Sequence, residues 1–248
     1  MFELSISTTI DKQHYITELH DKLKEEIKSD FGIIIKFNYL GRSYLSIAIN
    51  EKKKEYYKTK IVDYIIFMII DDYKFNYYKE NLLLHKQNVI SQSFLKAISI
   101  FDSEMDSEFI KSQLQLKDEI LVDSLYHFKL RLLQERWQKT ALIINQNQIL
   151  CSMESMIEVL KYLTNSSENS LITANIFIEK RQIKFKKNTN YKYFKKDFNG
   201  YSNFLTEIVR LNPLKINLKR TNIDELDSEN NIIELLSKIF TDKVYLLN

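Results

Sequence analysis

The chain has 248 residues and a formal net charge of +3 at pH 7, with 44% hydrophobic, 12% aromatic and 28% charged residues. This composition excludes intrinsic disorder, because disordered chains have fewer aromatic residues and a larger charge imbalance, and it supplies a substantial core. The small net charge excludes a polycation that binds nucleic acid or anionic lipid over its whole surface.

Residues 1–50 predict a small N-terminal β-α-β-β unit. The first strand alternates at Phe2, Leu4 and Ile6, and a helix over 12–30 begins at Asp11 as N-cap. Its apolar residues recur at helical spacing: Ile16, Leu19, Leu23 and Ile27. Two short strands, 33–37 and 44–49, follow around a turn at Gly41.

Residues 51–166 predict a helical region. A long helix over 53–78 is apolar on most sides, which is typical of a buried central helix. A helix over 89–101, an acidic connector over 102–108, a helical stretch over 117–145 and a helix over 153–163 follow. The stretch 117–145 carries two apolar stripes that we expect in the core. The first is Leu121, Leu125, Phe128 and Leu132; the second is Leu133, Trp137, Ala141 and Ile144.

Residues 167–248 predict a C-terminal β-β-α-β-α-β unit after a polar boundary at 164–170. A hairpin spans 172–186, a short helix ends before Pro213, and a strand, a helix and a final strand close the chain. Two strands joined by a helix are expected to pair in parallel. The fold class is therefore α+β, with segments 1–50, 51–166 and 167–248 forming three domains or one continuous domain.

Two stretches of the last half of the chain carry a family resemblance. One is the Leu-rich helix from Phe128 to Asn145 with the following segment 153–162, which ends in Leu-Lys-Tyr. The other contains Asn-Pro-Leu-Lys-Ile at 212–216 and Ile-Ile-Glu-Leu-Leu-Ser-Lys-Ile-Phe at 232–240. Both resemble the YtxC-like family of sporulation proteins of endospore-forming bacteria. The resemblance implies a strand-helix-strand ending and a role in sporulation; it implies no reaction and no catalytic residue.

Glycine is scarce, and this scarcity excludes a class of enzymes. Gly32, Gly41 and Gly200 are the only glycines, and Pro213 is the only proline. Phosphate-binding loops need several glycines close together, because the backbone must turn tightly and approach the phosphates. The sequence therefore excludes a classical nucleotide-binding loop, and we expect no cofactor.

The potential catalytic and metal-binding residues are scattered. The four histidines lack the three- or four-residue spacing with which helices bind metals: His14, His20, His85 and His127. Cys151 with His127 as base is conceivable, but a lone cysteine is more often a small buried apolar residue. The adjacent Asp71 and Asp72 point about 100° apart on a helix, as at a solvated helix end. We therefore predict no catalytic residue and no metal site.

The same cysteine also bears on location. Cys151 has no partner for an internal disulfide, which favours a reducing compartment. The N-terminus lacks the pattern of a signal peptide, and the longest apolar run, at 64–70, is far shorter than the roughly 20 residues of a spanning helix. These features predict a cytoplasmic protein with no membrane span.

One segment, 180–196, combines basic and aromatic residues without an acid between Glu179 and Asp197. Its basic residues are Lys180, Arg181, Lys184, Lys186, Lys187, Lys192, Lys195 and Lys196, and Tyr191 and Tyr193 lie among them. On a hairpin, Lys184 and Lys186 would share one face while Ile183 and Phe185 face the core. Such a face suits single-stranded nucleic acid, whereas the alternative is a solvated edge whose lysines prevent aggregation.

These features lead to two functional expectations. The first is a sporulation-associated, non-enzymatic interaction or accessory factor whose partner is another protein. The alternative is a nucleic-acid-binding accessory protein that uses Lys184, Lys186, Lys187, Tyr191, Lys192, Tyr193, Lys195 and Lys196. An enzyme without recognisable motifs is a third possibility.

Overall fold

The computed structural model describes residues 1–84, 89–114, 119–147, 152–166, 170–179, 182–187, 190–220 and 227–247. The strands are β1 (Phe2–Thr9), β2 (Ile33–Tyr39), β3 (Arg42–Ile49), β4 (Glu119–Leu121), β5 (Ser170–Ile178), β6 (Gln182–Lys187), β7 (Asn190–Lys195), β8 (Pro213–Arg220) and β9 (Val244–Leu247). The helices are α1 (Gln13–Ser29), α2 (Lys54–Met68), α3 (Phe75–Asn81), α4 (Val89–Phe101), α5 (Ser103–Gln113), α6 (Val122–Ser124), α7 (Arg131–Gln146), α8 (Met153–Ser166), α9 (Phe198–Leu211) and α10 (Asp227–Ile239).

The predicted α+β class is confirmed, and the chain divides into two compact units. Unit 1 comprises Met1–Tyr77 and Asp102–Lys139, and unit 2 comprises Tyr78–Phe101 and Thr140–Asn248. These units differ from the consecutive segments 1–50, 51–166 and 167–248, because the helical segment contributes to both. Within the described ranges, no helix is long and apolar enough to cross a membrane.

Unit 1 is built on a four-stranded mixed sheet in the order β2-β3-β1-β4. The N-terminal β-α-β-β pattern is as predicted, with β1 and β2 antiparallel to β3. The short strand β4, which the sequence did not predict, joins β1 in parallel. Helix α1 packs on one face of this sheet and buries Leu19, Leu23 and Ile27 there. Its N-cap is Lys12 rather than the predicted Asp11, which lies in a 3-10 turn.

The two predicted stripes of the 117–145 stretch have different outcomes. The second is buried as predicted, and Trp137 is only 1% exposed. The first is wrong in part, because Phe128 is 78% and Leu132 62% exposed, although Leu125 is buried. The physical reason is a π-helical turn at Leu125–Lys129, which is followed by a break at Leu130 before α7 begins. A wider turn changes the helical phase, so residues on either side no longer share one face.

A second π-helical turn, Ile69–Lys74, connects α2 to α3 and carries buried charges. Lys74 is fully buried and forms ion pairs with Asp102 and Asp106. Asp106 also accepts a hydrogen bond of 3.0 Å from Nε1 of Trp137. The sequence predicted a solvated helix end at Asp72, and this prediction is wrong. Asp72 lies inside a continuous helical segment and forms an ion pair with Lys12 at 3.1 Å.

Unit 2 contains a five-stranded sheet in the order β7-β6-β5-β8-β9. Strands β5, β6 and β7 are antiparallel neighbours, whereas β8 lies parallel to both β5 and β9. The parallel pairing of β8 with β9 was predicted from the helix between them. The strand β7 was not predicted, so the C-terminal unit reads β-β-β-α-β-α-β rather than β-β-α-β-α-β.

The turn from β7 into α9 explains one of the three glycines. Asp197 caps α9, since its side chain accepts a 2.7 Å hydrogen bond from the backbone N–H of Gly200. A Cβ atom on Gly200 would lie only 1.9 Å from the carbonyl oxygen of Lys195. Only glycine therefore allows the chain to turn from the end of β7 directly into the helix.

Candidate nucleic-acid interface

The β6–β7 hairpin has an apolar inner face and a basic, aromatic outer face. Alternation along a strand sends successive side chains to opposite faces. Ile183 and Phe185 of β6 are fully buried on the inner face, and Phe194 of β7 packs edge-on against Phe204 of α9 with ring centroids 5.6 Å apart. The inner face therefore anchors the hairpin in the core of unit 2, and the residues between these positions face outward.

Two lysine–tyrosine pairs form the centre of the outer face. The register places Lys184 opposite Tyr193 and Lys186 opposite Tyr191. Nζ of Lys184 lies 5.8 Å from the Tyr193 ring centroid, and Nζ of Lys186 lies 5.4 Å from that of Tyr191. The two tyrosine rings are 6.4 Å apart at an interplanar angle of 28°. Both rings are exposed, Tyr191 to 45% and Tyr193 to 58%.

The same surface continues across the remaining strands. The register aligns Phe177 and Asn175 of β5 with Lys184 and Lys186, and it aligns Asn175 with Asn217 of β8. The side-chain amide of Asn217 donates a 3.0 Å hydrogen bond to Oδ1 of Asn175. The outer face therefore combines amide groups and an aromatic ring with the two lysine–tyrosine pairs.

The far side of the sheet adds further basic and aromatic groups. Nζ of Lys215 lies 4.3 Å above the ring of Tyr245 in β9, and Lys219 follows four residues later on β8. Lys215, Lys219 and Tyr245 are all exposed. Cations and aromatic rings thus recur from β7 to β9 on one face, which we call the outer face of unit 2.

The structure groups some of the predicted binding residues and separates others. Lys184, Lys186, Tyr191, Tyr193 and Lys195 occupy alternating positions of the outer face. Of the other three, Lys192 lies on the opposite face by strand alternation, Lys196 follows the end of β7, and the side chain of Lys187 is outside the described residues. Of these, Lys192 forms a 2.7 Å ion pair with Glu207 of α9. Lys180 and Arg181 lie outside the described residues.

One acidic residue moderates the charge of the outer face. Glu179 follows β5 and forms an ion pair with Lys184. The pKa of Lys184 is raised above its ordinary value, chiefly by the hydrogen bond to Glu179. The pKa of Glu179 is lowered, chiefly by the same hydrogen bond. Both groups therefore stay charged near neutral pH, and Lys184 is held in place beside Tyr193.

Sequence reasoning identified the hairpin but missed half of the face. Asn175, Phe177, Lys215, Asn217 and Lys219 alternate with buried residues along β5 and β8. That alternation was a usable signal. The pairing of β8 with β5, which brings the two sets together, follows only from the tertiary fold.

The polar residues around Asp123 in unit 1 form a structural network. Asp123 accepts hydrogen bonds from the hydroxyl of Tyr73 at 2.5 Å and from the backbone N–H of Thr9 at 3.0 Å, and it pairs with Arg42 at 2.9 Å. Burial raises the pKa of Tyr73 above its ordinary value, and the nearby Asp123 adds to the rise. These contacts join β1, β3 and the π-helical turn at Ile69–Lys74 to α6, which follows β4.

The other candidates from the sequence contribute no further site. His20 pairs with Asp21 at 2.9 Å on an exposed helix surface. Cys151 and His85 lie outside the described residues, and the suggested pairing of Cys151 with His127 therefore lies outside them as well. Within the described ranges, no group of three His, Cys, Asp or Glu residues could hold a metal ion.

Comparison with known proteins adds no relative. No protein-family model, no curated protein and no solved structure matches this chain.

Proposed function

We propose that this protein is a non-enzymatic accessory factor that binds single-stranded nucleic acid through the outer face of unit 2. One observation carries the proposal. Two exposed tyrosines, Tyr191 and Tyr193, lie side by side on an open sheet face, and a lysine flanks each of them. Flat rings and cations at this spacing match the two repeating parts of a nucleic-acid strand, its bases and its phosphates.

The aromatic rings favour single strands over duplexes. Stacking on an aromatic side chain contributes about 1–3 kcal/mol per base and requires that the base face be accessible. The rings of Tyr191 and Tyr193 are 6.4 Å apart, so each can receive one base of an extended strand. A duplex hides its base faces, and it would meet the outer face only through its phosphates.

The lysines supply the electrostatic part of binding. Lys184, Lys186, Lys195, Lys215 and Lys219 lie on the same face as the rings, and Glu179 pairs with Lys184. Each lysine that neutralises a phosphate releases condensed counterions, so affinity falls with salt. Sequence preference is expected to be weak, because stacking and phosphate contacts carry little information about the base.

The cellular part of the proposal rests on the sequence alone. The resemblance to the YtxC-like family supports a role in sporulation, and the single cysteine supports a cytoplasmic location. A protein partner remains the competing occupant of this face. It would have to be acidic, and it would compete with oligonucleotide for the same lysines.

A direct test is fluorescence anisotropy of the full chain with a labelled 12-nucleotide single strand, as DNA and as RNA, and with the corresponding duplexes. The expected result is tighter binding of the single strands at equal salt. The double variant Y191A/Y193A should lose about 2–6 kcal/mol of binding free energy, since two bases lose their stacking partners. Equal affinity for single strands and duplexes would contradict the stacking role.

The matched control is Tyr162→Ala, because Tyr162 is a 65% exposed tyrosine of the same unit on α8. This variant should bind like the wild type. If Y162A weakens binding as much as the double variant, the outer face is not the binding surface. Absence of oligonucleotide binding, together with capture of an acidic protein that K184Q/K186Q abolishes, would favour the protein partner.

A further inference from the structure

Strand β2 is the outer edge of the unit 1 sheet and exposes an apolar surface. It pairs with β3 on one side, and among the described residues no strand pairs with its other side. Its exposed side chains on one face are Ile33 (55%), Ile35 (54%), Phe37 (44%) and Tyr39 (61%). Edge strands normally carry charges or prolines that prevent pairing with another chain. The only charge on β2 is Lys36, which points to α1 and donates to Thr17.

The two ends of β2 carry apolar residues in a strained backbone conformation. Phe31 has φ 58° and is 99% exposed, and Leu40 has φ 44° and is 81% exposed. Positive φ favours glycine or asparagine, because a Cβ atom is crowded there. The contacts inside unit 1 give no reason for an exposed apolar side chain at either position. Phe31 lies in the turn that ends α1 and Leu40 begins the turn into β3, and the exposed side chains of both extend the apolar surface of the open edge.

We infer that the occupant of this edge is a second copy of the chain, with the two β2 strands paired antiparallel about a two-fold axis at Ile35. A two-fold interface uses the same surface on both copies, and strand pairing satisfies the backbone groups at the open edge. In this register Ile33 lies opposite Phe37 of the second copy, and Phe31 lies opposite its Tyr39. Apolar residues therefore meet apolar residues along the whole exposed face.

The charges around β2 favour this register over one centred on Lys36. Centring the axis on Lys36 would place the two copies of Lys36 directly opposite each other, which is unfavourable. Centring it on Ile35 places Lys36 opposite Ile34 of the second copy instead. Helix α1 runs antiparallel beneath β2, since Asn38 contacts Gln13 and Lys36 contacts Thr17.

One further turn along α1 adds a favourable charge. Asp21 follows Thr17 by one helical turn and therefore lies toward Ile34, with a side chain that is 66% exposed. The axis at Ile35 consequently brings Lys36 of each copy toward Asp21 of the other. The edge is thus complementary to itself in both shape and charge.

The exposed apolar area approaches that of a standard dimer interface. Taking about 200 Å² for each large side chain, the apolar residues from Phe31 to Tyr39 expose on the order of 600 Å² per copy. A standard protein interface buries about 800 Å² per partner. A groove of about 830 Å³, lined in part by Ile33, Ile35 and Ala48, continues beside β2 and provides further surface.

The register can be tested by cross-linking the full chain in a Cys151→Ser background. Cysteine at the two-fold axis faces its own copy, because directly opposite Cβ atoms in an antiparallel pair are about 4.5–5.5 Å apart. I35C should therefore form a disulfide-linked dimer rapidly under mild oxidation. F37C is the matched control, since Phe37 faces Ile33 of the second copy, and it should cross-link at least tenfold more slowly. Equal rates for the two variants would overturn the inference.

Sedimentation velocity over a range of protein concentrations tests the dimer itself. The wild type should show a concentration-dependent dimer, and Ile35→Lys should weaken it at least tenfold. Leu171→Lys is the control, because Leu171 is a 95% exposed apolar residue of unit 2, and it should leave dimerisation unchanged.

Because misfolding of I35K would also abolish dimerisation, a charge exchange between Lys36 and Asp21 provides an independent test. K36E should weaken the dimer, and D21K/K36E should restore it. A wild type that is monomeric at all concentrations, or a double variant weaker than K36E, would overturn the inference. A monomeric protein that still binds oligonucleotide would overturn the inferred dimer and leave the proposed function standing.

Discussion

The two units distribute charged and apolar side chains in opposite ways. Unit 1 buries an ion-pair network around Lys74 and exposes isoleucines and aromatic residues along β2. Unit 2 buries its isoleucines and Phe185 on the inner face of its sheet and exposes lysines and tyrosines on the outer face. Each sheet has an exposed region, but the chemistry of the two regions differs. This difference predicts an apolar, self-complementary partner for unit 1 and a polyanion with flat bases for unit 2.

The largest expected effect concerns two phenylalanines, one buried and one exposed. Phe240 is fully buried in unit 2, so Phe240→Ala should lower the free energy of unfolding by about 3–5 kcal/mol. Phe128 is 78% exposed, and Phe128→Ala should change it by less than about 0.5 kcal/mol. Urea denaturation of both variants measures the difference. Similar losses for the two would show that the π-helical turn does not direct Phe128 outward.

The buried charges of unit 1 give a second test. Asp106→Asn removes one of the two carboxylates that neutralise the buried ammonium group of Lys74, and it should destabilise the protein by about 3 kcal/mol. Asp63→Asn is the control, because Asp63 pairs with Lys111 at 3.5 Å on the surface with both side chains more than half exposed. That change should cost at most about 1 kcal/mol. A D106N variant as stable as D63N would mean that Lys74 is not a buried cation.

Alkaline pH should weaken unit 1 through its buried tyrosines. Burial and nearby carboxylates raise the pKa values of Tyr15, Tyr64 and Tyr73 well above the ordinary value of about 10. Above about pH 10 the unfolded chain releases these protons while the folded chain retains them, so stability present below pH 10 is lost as pH rises.

Each such tyrosine should contribute a loss of about 1.4 kcal/mol per pH unit. Tyr73→Phe removes one of them, so its stability should fall less steeply between pH 10 and 11. Denaturation curves at several pH values measure these slopes. An identical slope in Y73F would contradict the raised pKa of Tyr73.

A smaller effect separates stability from association at the edge of β2. Phe31→Gly relieves the positive φ at this position and should stabilise the isolated chain by about 1 kcal/mol. The same change removes an apolar contact with Tyr39 of the second copy and should weaken the dimer. Thermal denaturation of dilute protein should show a higher melting temperature for the variant. Sedimentation should show a weaker dimer. A variant that is less stable and dimerises normally would contradict both halves of the argument.

Sequence patterns predicted the features that depend on local periodicity. The alternation of Ile183 and Phe185 with Lys184 and Lys186 gave the two faces of the hairpin, and the spacing around Trp137 gave the buried stripe of α7. A period of two or of 3.6 residues is a local property, so it can be seen without the fold. The predicted burial of Phe128 was wrong because a π-helical turn changed the helical phase between two such stripes.

Features that depend on neighbours in space could not be predicted. The run Ile33-Ile34-Ile35 is typical of a buried strand, yet Ile33 and Ile35 are exposed because they project from the face of the sheet opposite α1. The three residues of β4 are too few for a pattern, and they form a strand only because β1 is available as a partner. The outer face of unit 2 likewise depends on the parallel pairing of β5 with β8.

The salt dependence of single-strand binding tests the central claim most directly. The logarithm of the wild-type association constant should fall linearly with the logarithm of the salt concentration, with a slope of about 0.7 per contacted phosphate. K184Q/K186Q should reduce the magnitude of that slope by about 1.4, whereas the control K161Q/K238Q, on α8 and α10 of the same unit, should leave it unchanged. Equal slopes for the two double variants, or no binding by the wild type at physiological salt, would contradict nucleic-acid binding by the outer face of unit 2.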